Sequence, residues 1–197
     1  MLNFNPLRIL LVSVFALGLA PVCLADSVPG IAYDVAASAN GGVATESSQL
    51  VGWNGGPANL ANDGNTDGNY YDGSVAHTQN EANPWWTVQI KTSYDISSIT
   101  IWNRTDCCSD RLSPFTVTLF EGGSVVWQQV YDASAPASIT FAGFNVQADS
   151  LEIQLNGTNY LQLAEVAAYS TPEPVSLILF GTGLAGIGGF VRRRLIG

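Results

Sequence analysis

Apolar residues recur at every second position along several short runs, and no interior stretch sustains a helical period. Phe115, Val117 and Leu119 alternate with Thr116 and Thr118, and Leu151, Ile153 and Leu155 alternate with Glu152 and Gln154. Ile99 and Ile101 follow the same rule, as do Trp86, Val88 and Ile90. A period of two sends alternate side chains to opposite faces, so each run reads as a strand with one face in a core. Glu121-Gly122-Gly123-Ser124, Ala142-Gly143, Asn156-Gly157 and Asp63-Gly64 separate the runs as turns. With no internal repeat, the pattern predicts an all-β domain, an antiparallel β-sandwich of the jelly-roll kind. The polar stretch from Trp53 to Asn83, rich in Gly, Asn and Asp, is either a functional loop or a disordered segment.

The two ends follow other patterns. Arg8 precedes an uncharged run from Ile9 to Leu24, broken at Pro21, with small residues at Cys23 and Ala25. This is the layout of a secretory signal over residues 1–25; a membrane anchor and a lipidation site at Cys23 are the competing readings. At the other end, Thr171-Pro172-Glu173-Pro174 leads into an uncharged stretch from Val175 to Val191, followed by Arg192-Arg193-Arg194. As a helix, residues 175–191 would span about 26 Å, near the thickness of a bilayer core, with the arginines on the cytoplasmic side. The order Pro-Glu-Pro, apolar helix, basic terminus resembles the PEP-CTERM sorting signal of Gram-negative bacteria. The resemblance implies a precursor that crosses the membrane, is transiently anchored by a transmembrane helix, and is recognised by an exosortase. It further implies release to the cell surface or the exopolysaccharide matrix. An ordinary C-terminal membrane anchor is the alternative. Residues 171–197 are thus set apart from a single domain over 26–170.

That domain holds fifteen of the sixteen acidic residues and only three basic ones, Lys91, Arg104 and Arg111, within a formal net charge of -9. So acidic a surface will not track phosphates, which excludes nucleic acid as a partner, and it disfavours anionic membranes. Two of the three cations lie in Asn103-Arg104-Thr105-Asp106-Cys107-Cys108-Ser109-Asp110-Arg111-Leu112, just after the strand ending at Trp102, and His77 is the single histidine. Arginine presents a planar fork of donors suited to paired hydroxyls, a ring oxygen or carboxylates. Asp106 and Asp110 lie between the arginines and both read as their partners, so the loop is a binding site or an ion-pair network that stiffens it.

Once Cys23 leaves with a signal, Cys107 and Cys108 are the remaining cysteines. They can bond to each other, stay free, or pair between chains; a vicinal bond would present a flat, rigid, weakly polar plate. A metal or redox role competes, but the Cys-x-x-Cys spacing is missing.

His77, twenty-six residues, Arg104-Thr105-Asp106, four residues and Arg111 match the signature of the F-type lectins, the fucolectin family. The adjacent cysteines stand in register with that family's loop. Val35-Ala36, Ala44 to Ser48, Pro84-Trp85-Trp86 and Leu163-Ala164-Glu165-Val166 extend the resemblance across most of the domain. It implies a discoidin-like sandwich and a lectin for terminal α-L-fucose, without catalysis. His77, Arg104 and Arg111 would meet the axial 4-hydroxyl, the 3-hydroxyl and the ring oxygen, with Asp106 orienting an arginine. Cys107-Cys108 would pack on the sugar ring, and Tyr70 and Tyr71 would wall its 6-methyl group or simply pack on the core. A Ca2+ ion is also implied, held by side chains of Asp63, Ser74 and Glu165 and backbone carbonyls of Leu60, Asn65 and Ala164. A disulfide that many members place beside the ion would join positions now held by Val75 and Ala164. The other function classes are an adhesive or structural matrix protein on the same sandwich, without a fucose site, and a surface enzyme. For the enzyme no carboxylate dyad or nucleophile-base pair stands out. The glycan itself, and whether copies assemble for avidity, stay open.

Overall fold

The computed structural model describes residues 32–52 and 56–171. The expected signal over 1–25 and the expected sorting segment beyond Thr171, with its helix at 175–191, lie outside the described residues. Among the described residues no helix is long and apolar enough to cross a membrane.

Eleven strands form in the described residues. They are β1 (Tyr33–Asp34), β2 (Val43–Glu46), β3 (Ala76–His77), β4 (Glu81–Ala82), β5 (Trp85–Trp102) and β6 (Phe115–Glu121), followed by β7 (Ser124–Tyr131), β8 (Ser138–Leu155), β9 (Thr158–Asn159), β10 (Gln162–Leu163) and β11 (Glu165–Ser170). The main hydrogen-bonded path runs β1-β11-β5-β8-β6-β7, with β2 added to β5 and every pairing antiparallel. β5 and β8 are each eighteen residues long and carry the architecture. The first part of β5 pairs with β2 and the end of β8, while its last part pairs with β11 and the start of β8. Both strands therefore pass from one layer of the sandwich to the other, turning the corner where their mutual register shifts between Gln89 and Tyr94.

A second irregularity explains a change of phase. Trp86, Val88, Ile90 and Ile96 are buried at even positions, whereas Ile99 and Ile101 are buried at odd ones. Between Ile96 and Ser98 the registers against both neighbours slip: β5 has one residue more than β11, where Ser170 and Tyr169 face Ile96 and Ser98, and that extra residue moves all later side chains of β5 to the other face. Opposite that slip lies Gly143, at φ 88°, inside β8. The Ala142-Gly143 pair read as a turn from sequence is thus a bulge within one long strand. β7 was also missed: its residues are mostly exposed, Val125, Val126 and Val130 included, so no alternation marks it.

The core fills from one layer with Phe115, Val117, Leu119, Leu151, Ile153 and Leu155, all buried as their alternation requires, and from the other with Ile99, Ile101 and Val166. The polar stretch expected to be a loop or disordered is an ordered loop from residue 56 onward, built from 3-10 turns at Ala58–Ala61 and Tyr70–Asp72 and from β3 and β4. Trp86 anchors its start: the indole is buried, and its Nε1–H donates to the Ala58 carbonyl at 2.8 Å. Replacing Trp86 with Phe leaves that carbonyl without its partner and opens a small void. A loss of about 2 kcal/mol is expected, read as a lower denaturation midpoint at unchanged slope.

Candidate functional site

Two glycines allow the loops at one end of the sandwich to close on each other. A side chain at Gly68 would stand 2.6 to 2.8 Å from Thr105 and the Asn103 carbonyl, and one at Gly56 would stand 2.7 Å from His77 and the Val75 carbonyl. At these separations the Thr105 N–H donates to the Gly68 carbonyl and the His77 N–H to the Gly56 carbonyl, both at 2.8 Å. Asn103 is buried and its side-chain amide donates to the Ser109 carbonyl at 2.9 Å, folding residues 103–112 back on themselves. Cys108 turns the chain at φ 57° ahead of the 3-10 turn Ser109–Arg111, and it is disulfide-bonded to Cys107 with Cα atoms 3.8 Å apart. Of the three states left open for the cysteines, the structure has the vicinal bond.

Arg104 is buried and donates through Nε and Nη2 to both oxygens of Asp106, at 2.7 and 2.8 Å. That hydrogen-bonded guanidinium holds the Asp106 carboxyl down at about 2, aided by the Tyr70 N–H, which donates to it at 3.1 Å. The paired Arg104 lies over Tyr70, its Cζ 4.6 Å from the ring centroid. Asp106 thus orients Arg104. Asp110 does not: the Arg104–Asp106 pair is the one ion pair among the described residues. Arg111 instead lies over the ring of Tyr160, Cζ at 4.8 Å, which leaves its forked donors unclaimed by any described carboxylate.

His77, on β3, is buried between two aromatic rings that meet it edgewise, Tyr70 at 5.2 Å and Tyr160 at 5.4 Å between centroids. Its Nδ1 lies 2.7 Å from the Thr78 carbonyl, and its Nε2 lies 2.8 Å from the side-chain nitrogen of Gln162. Burial lowers the pKa of the ring below its ordinary value, and the Arg104 and Arg111 charges lower it further.

These groups share a cleft of about 430 Å³ walled by Leu50, Val51, Tyr70, Tyr71, His77, Arg104, Arg111 and Tyr160. Five of the eight sequence-derived sugar candidates therefore line it directly. Asp106 stands behind Arg104, and Cys107 and Cys108 lie on the adjoining loop, outside these walls. Tyr71 and Val51 are exposed at 60% and 84%. Guanidinium forks, an imidazole and aromatic faces suit a ligand dense in hydroxyls with an apolar side. Tyr160, Gln162, Leu50 and Val51 were not singled out from sequence. The β3–β10 ladder sets Gln162 against His77, and Leu50 is tied in by its N–H donating to the His77 carbonyl at 2.8 Å.

The candidate calcium ligands lie along residues 60–74 and at the start of β11. Glu165 opens β11 at 2% exposure, accepts from the Gly64 N–H at 3.2 Å through one oxygen, and has no partner for the other, Oε1. Burial, with the charges of Asp63 and Asp34, pushes its carboxyl up to about 8. The Ser74 hydroxyl lies 2.6 Å from the Asp67 carbonyl and 3.0 Å from that of Asn69, while Asp63 accepts from the Asn65 N–H at 2.8 Å. Leu60 sits in the 3-10 turn just before this stretch, and Ala164 is buried next to Glu165. Among the described residues no three His, Cys, Asp or Glu side chains cluster as metal ligands. The buried, unpartnered Glu165 oxygen, with the Asp63 charge beside it, is nonetheless a hard donor of the kind a hard cation takes. Val75 and Ala164, where the family's extra disulfide would lie, are both buried in a small apolar cluster with Tyr70, Leu50 and Trp102.

Asp106→Asn leaves Arg104 half-matched, so a loss of about 2 kcal/mol is expected at pH 7. Because the folded carboxyl titrates below its unfolded value, the wild-type advantage is full above about pH 4. It fades as pH falls toward about 2, which paired denaturation curves across that range will show.

Residues 60–153 match a family model described as a NedA-like, galactose-binding domain. Over 74 residues the chain is 47% identical to a fucolectin of Anguilla anguilla, a match covering 36% of this chain and 47% of the eel protein. The chain thus spans about half the length of the curated relatives it matches. Among solved structures it is similar to the lectin domain of Lectinolysin complexed with Lewis b, in a His 62 mutant. That likeness has 30% identity and a TM-score of 0.65, over 71% of this chain and 97% of that one. A fucose binding module of Streptococcus pneumoniae is 29% identical with the same TM-score, over 71% of this chain and 96% of the module. A family 32 carbohydrate-binding module of C. perfringens, at 19% identity and TM-score 0.58, shares the fold. The chain belongs to the F-type lectins, the fucolectin family, whose members are carbohydrate-binding modules rather than enzymes.

Proposed function

We propose that this domain is a calcium-dependent lectin that binds terminal α-L-fucose on glycans at the cell surface or in the extracellular matrix. The observation that carries the reading is the convergence of His77, Arg104 and Arg111 on one cleft with Tyr70 beneath Arg104. The fucose and Lewis b ligands in the names of the related domains support it. In this reading Arg104 and Arg111 donate to the ring oxygen and the 3- and 4-hydroxyls, and His77 meets the axial 4-hydroxyl. Asp106 keeps Arg104 in plane. Tyr70 and Tyr71 face the 6-methyl group, and the Cys107–Cys108 plate meets the ring face. Calcium, when bound, supplies positive charge to Glu165 and Asp63 and clips the 60–74 loop to β11, with Leu60, Asn65, Ser74 and Ala164 completing its shell. Export, exosortase processing and a surface location rest on the patterns at 1–25 and 171–197.

Binding of the purified protein to a glycan array, with and without a calcium chelator, tests this. Arg104→Ala and Arg111→Ala should each weaken binding to fucosylated glycans by roughly 10- to 100-fold, the loss of charge-assisted hydrogen bonds. Retention of no fucosylated glycan by the wild type would leave the matrix-protein reading in its place. Separately, millimolar calcium should raise the melting temperature by several degrees, and Glu165→Gln should abolish that rise.

A further inference from the structure

His77 raises a question of hydrogen-bond direction that decides what it offers a sugar. A carbonyl oxygen only accepts, so the 2.7 Å contact with Thr78 requires a proton on Nδ1. In the neutral ring Nε2 then carries a lone pair, and the group 2.8 Å from it is the side-chain amide nitrogen of Gln162, a donor. The opposite amide orientation would set an oxygen against Nε2 and demand a second proton there. That would place an imidazolium beside two arginines, in a buried pocket. Gln162 is itself 1% exposed, held opposite His77 by the β3–β10 ladder.

We infer that Gln162 is a positioning residue of the sugar site: its amide keeps His77 neutral, with Nε2 as an acceptor in the cleft that Arg104 and Arg111 also line. This rests on the fucose reading of the cleft. The consequence is selectivity for hydroxyls. A hydroxyl both donates and accepts, so it takes the single Nε2 lone pair in place of the Gln162 amide while receiving a guanidinium N–H. A carboxylate or sulfate only accepts, and it meets a lone pair where it needs a donor. Two arginines alone would draw acidic sugars; His77 in this state turns the pocket toward neutral ones.

The charged and titratable groups facing His77 are Arg104, Arg111 and Asp106 from the 103–112 loop, Tyr70 from the loop before β3, and Tyr160 from the turn before β10. Arg104 and Arg111 resist protonation of the ring, and Asp106 favours it. Losing the Gln162 donor therefore eases protonation of Nε2, and a carboxylate in its place eases it further.

The test uses the full-length, calcium-loaded protein labelled with 15N. With a single histidine in the chain, a long-range 15N–1H correlation spectrum reports His77 without ambiguity. At pH 7 the wild type should show a neutral ring protonated on Nδ1. Binding of methyl α-L-fucoside should fall as acid charges that ring, and galacturonic acid should bind at least about 10-fold more weakly at pH 7. Gln162→Met should move the acid loss of fucoside binding to higher pH by roughly half a unit or more. Gln162→Glu should move it further, charging the ring near neutrality. A merely structural role would weaken binding equally at all pH values. A wild-type ring protonated on Nε2, or variants whose pH profiles superimpose on the wild type after scaling, overturns the assignment. If Gln162→Glu fails to fold, Gln162→Met decides. Absence of fucoside binding by the wild type overturns the fucose reading by itself, while the spectrum still decides whether Gln162 sets the state of the ring.

Discussion

Everything at the binding end hangs from the pairing of β5 with β8. These two strands cross both layers, and each carries the ladder of its neighbours: β2 and β11 on β5, β6 on β8. The 103–112 loop is the continuation of β5, and the Glu165 end of β11 pairs with Trp102 at that same edge. A shift of one residue in this register would carry the arginine loop and Glu165 off to the wrong face together. The irregularity between Ile96 and Ser98 is accordingly part of the site's specification, because it sets the phase in which β5 arrives at Trp102.

Near that edge the site divides its labour between fixed and available donors. Arg104 is fixed on one side by a carboxylate and underneath by a ring, which leaves few directions for its remaining N–H groups. Arg111 is held by a ring alone, so its charge is placed without being neutralised. His77 is clasped on both nitrogens and flanked on two sides. The result is a rigid set of polar directions over an aromatic floor, obtained with very few charges.

Legibility in the sequence followed the same physics. The strands with one buried face, around Phe115 to Leu119 and Leu151 to Leu155, announce themselves through alternation. β7 does not, because on this edge strand only Trp127 and Tyr131 pack on the core and the other residues are exposed, which is too few to show alternation. β5 and β8 were legible only in fragments, since the irregularity at Ile96–Ser98 reverses the alternation of β5 and Gly143 imitates a turn. His77, Arg104 and Arg111 stood out because cations are scarce and their spacing resembles a known family. Tyr160 and Gln162 did not, for they reach the cleft through a two-residue ladder formed by segments more than eighty residues apart. The reading of Asp110 as an arginine's partner failed for a related reason: proximity in sequence competes with a tyrosine delivered from elsewhere, which holds Arg111.

The cleft walls come from residues 50–51, 70–77, 104–111 and 160, four segments spread over more than half of the chain. No one of these segments supplies the whole cleft with its own sequence neighbours. Closing loops of such length costs entropy that is recovered only when the sandwich has condensed. Recognition is therefore an all-or-none property of the folded domain: a nascent, unfolding or clipped chain has no residual grip on its ligand. Occupancy of the cleft reports directly on the integrity of the whole β architecture.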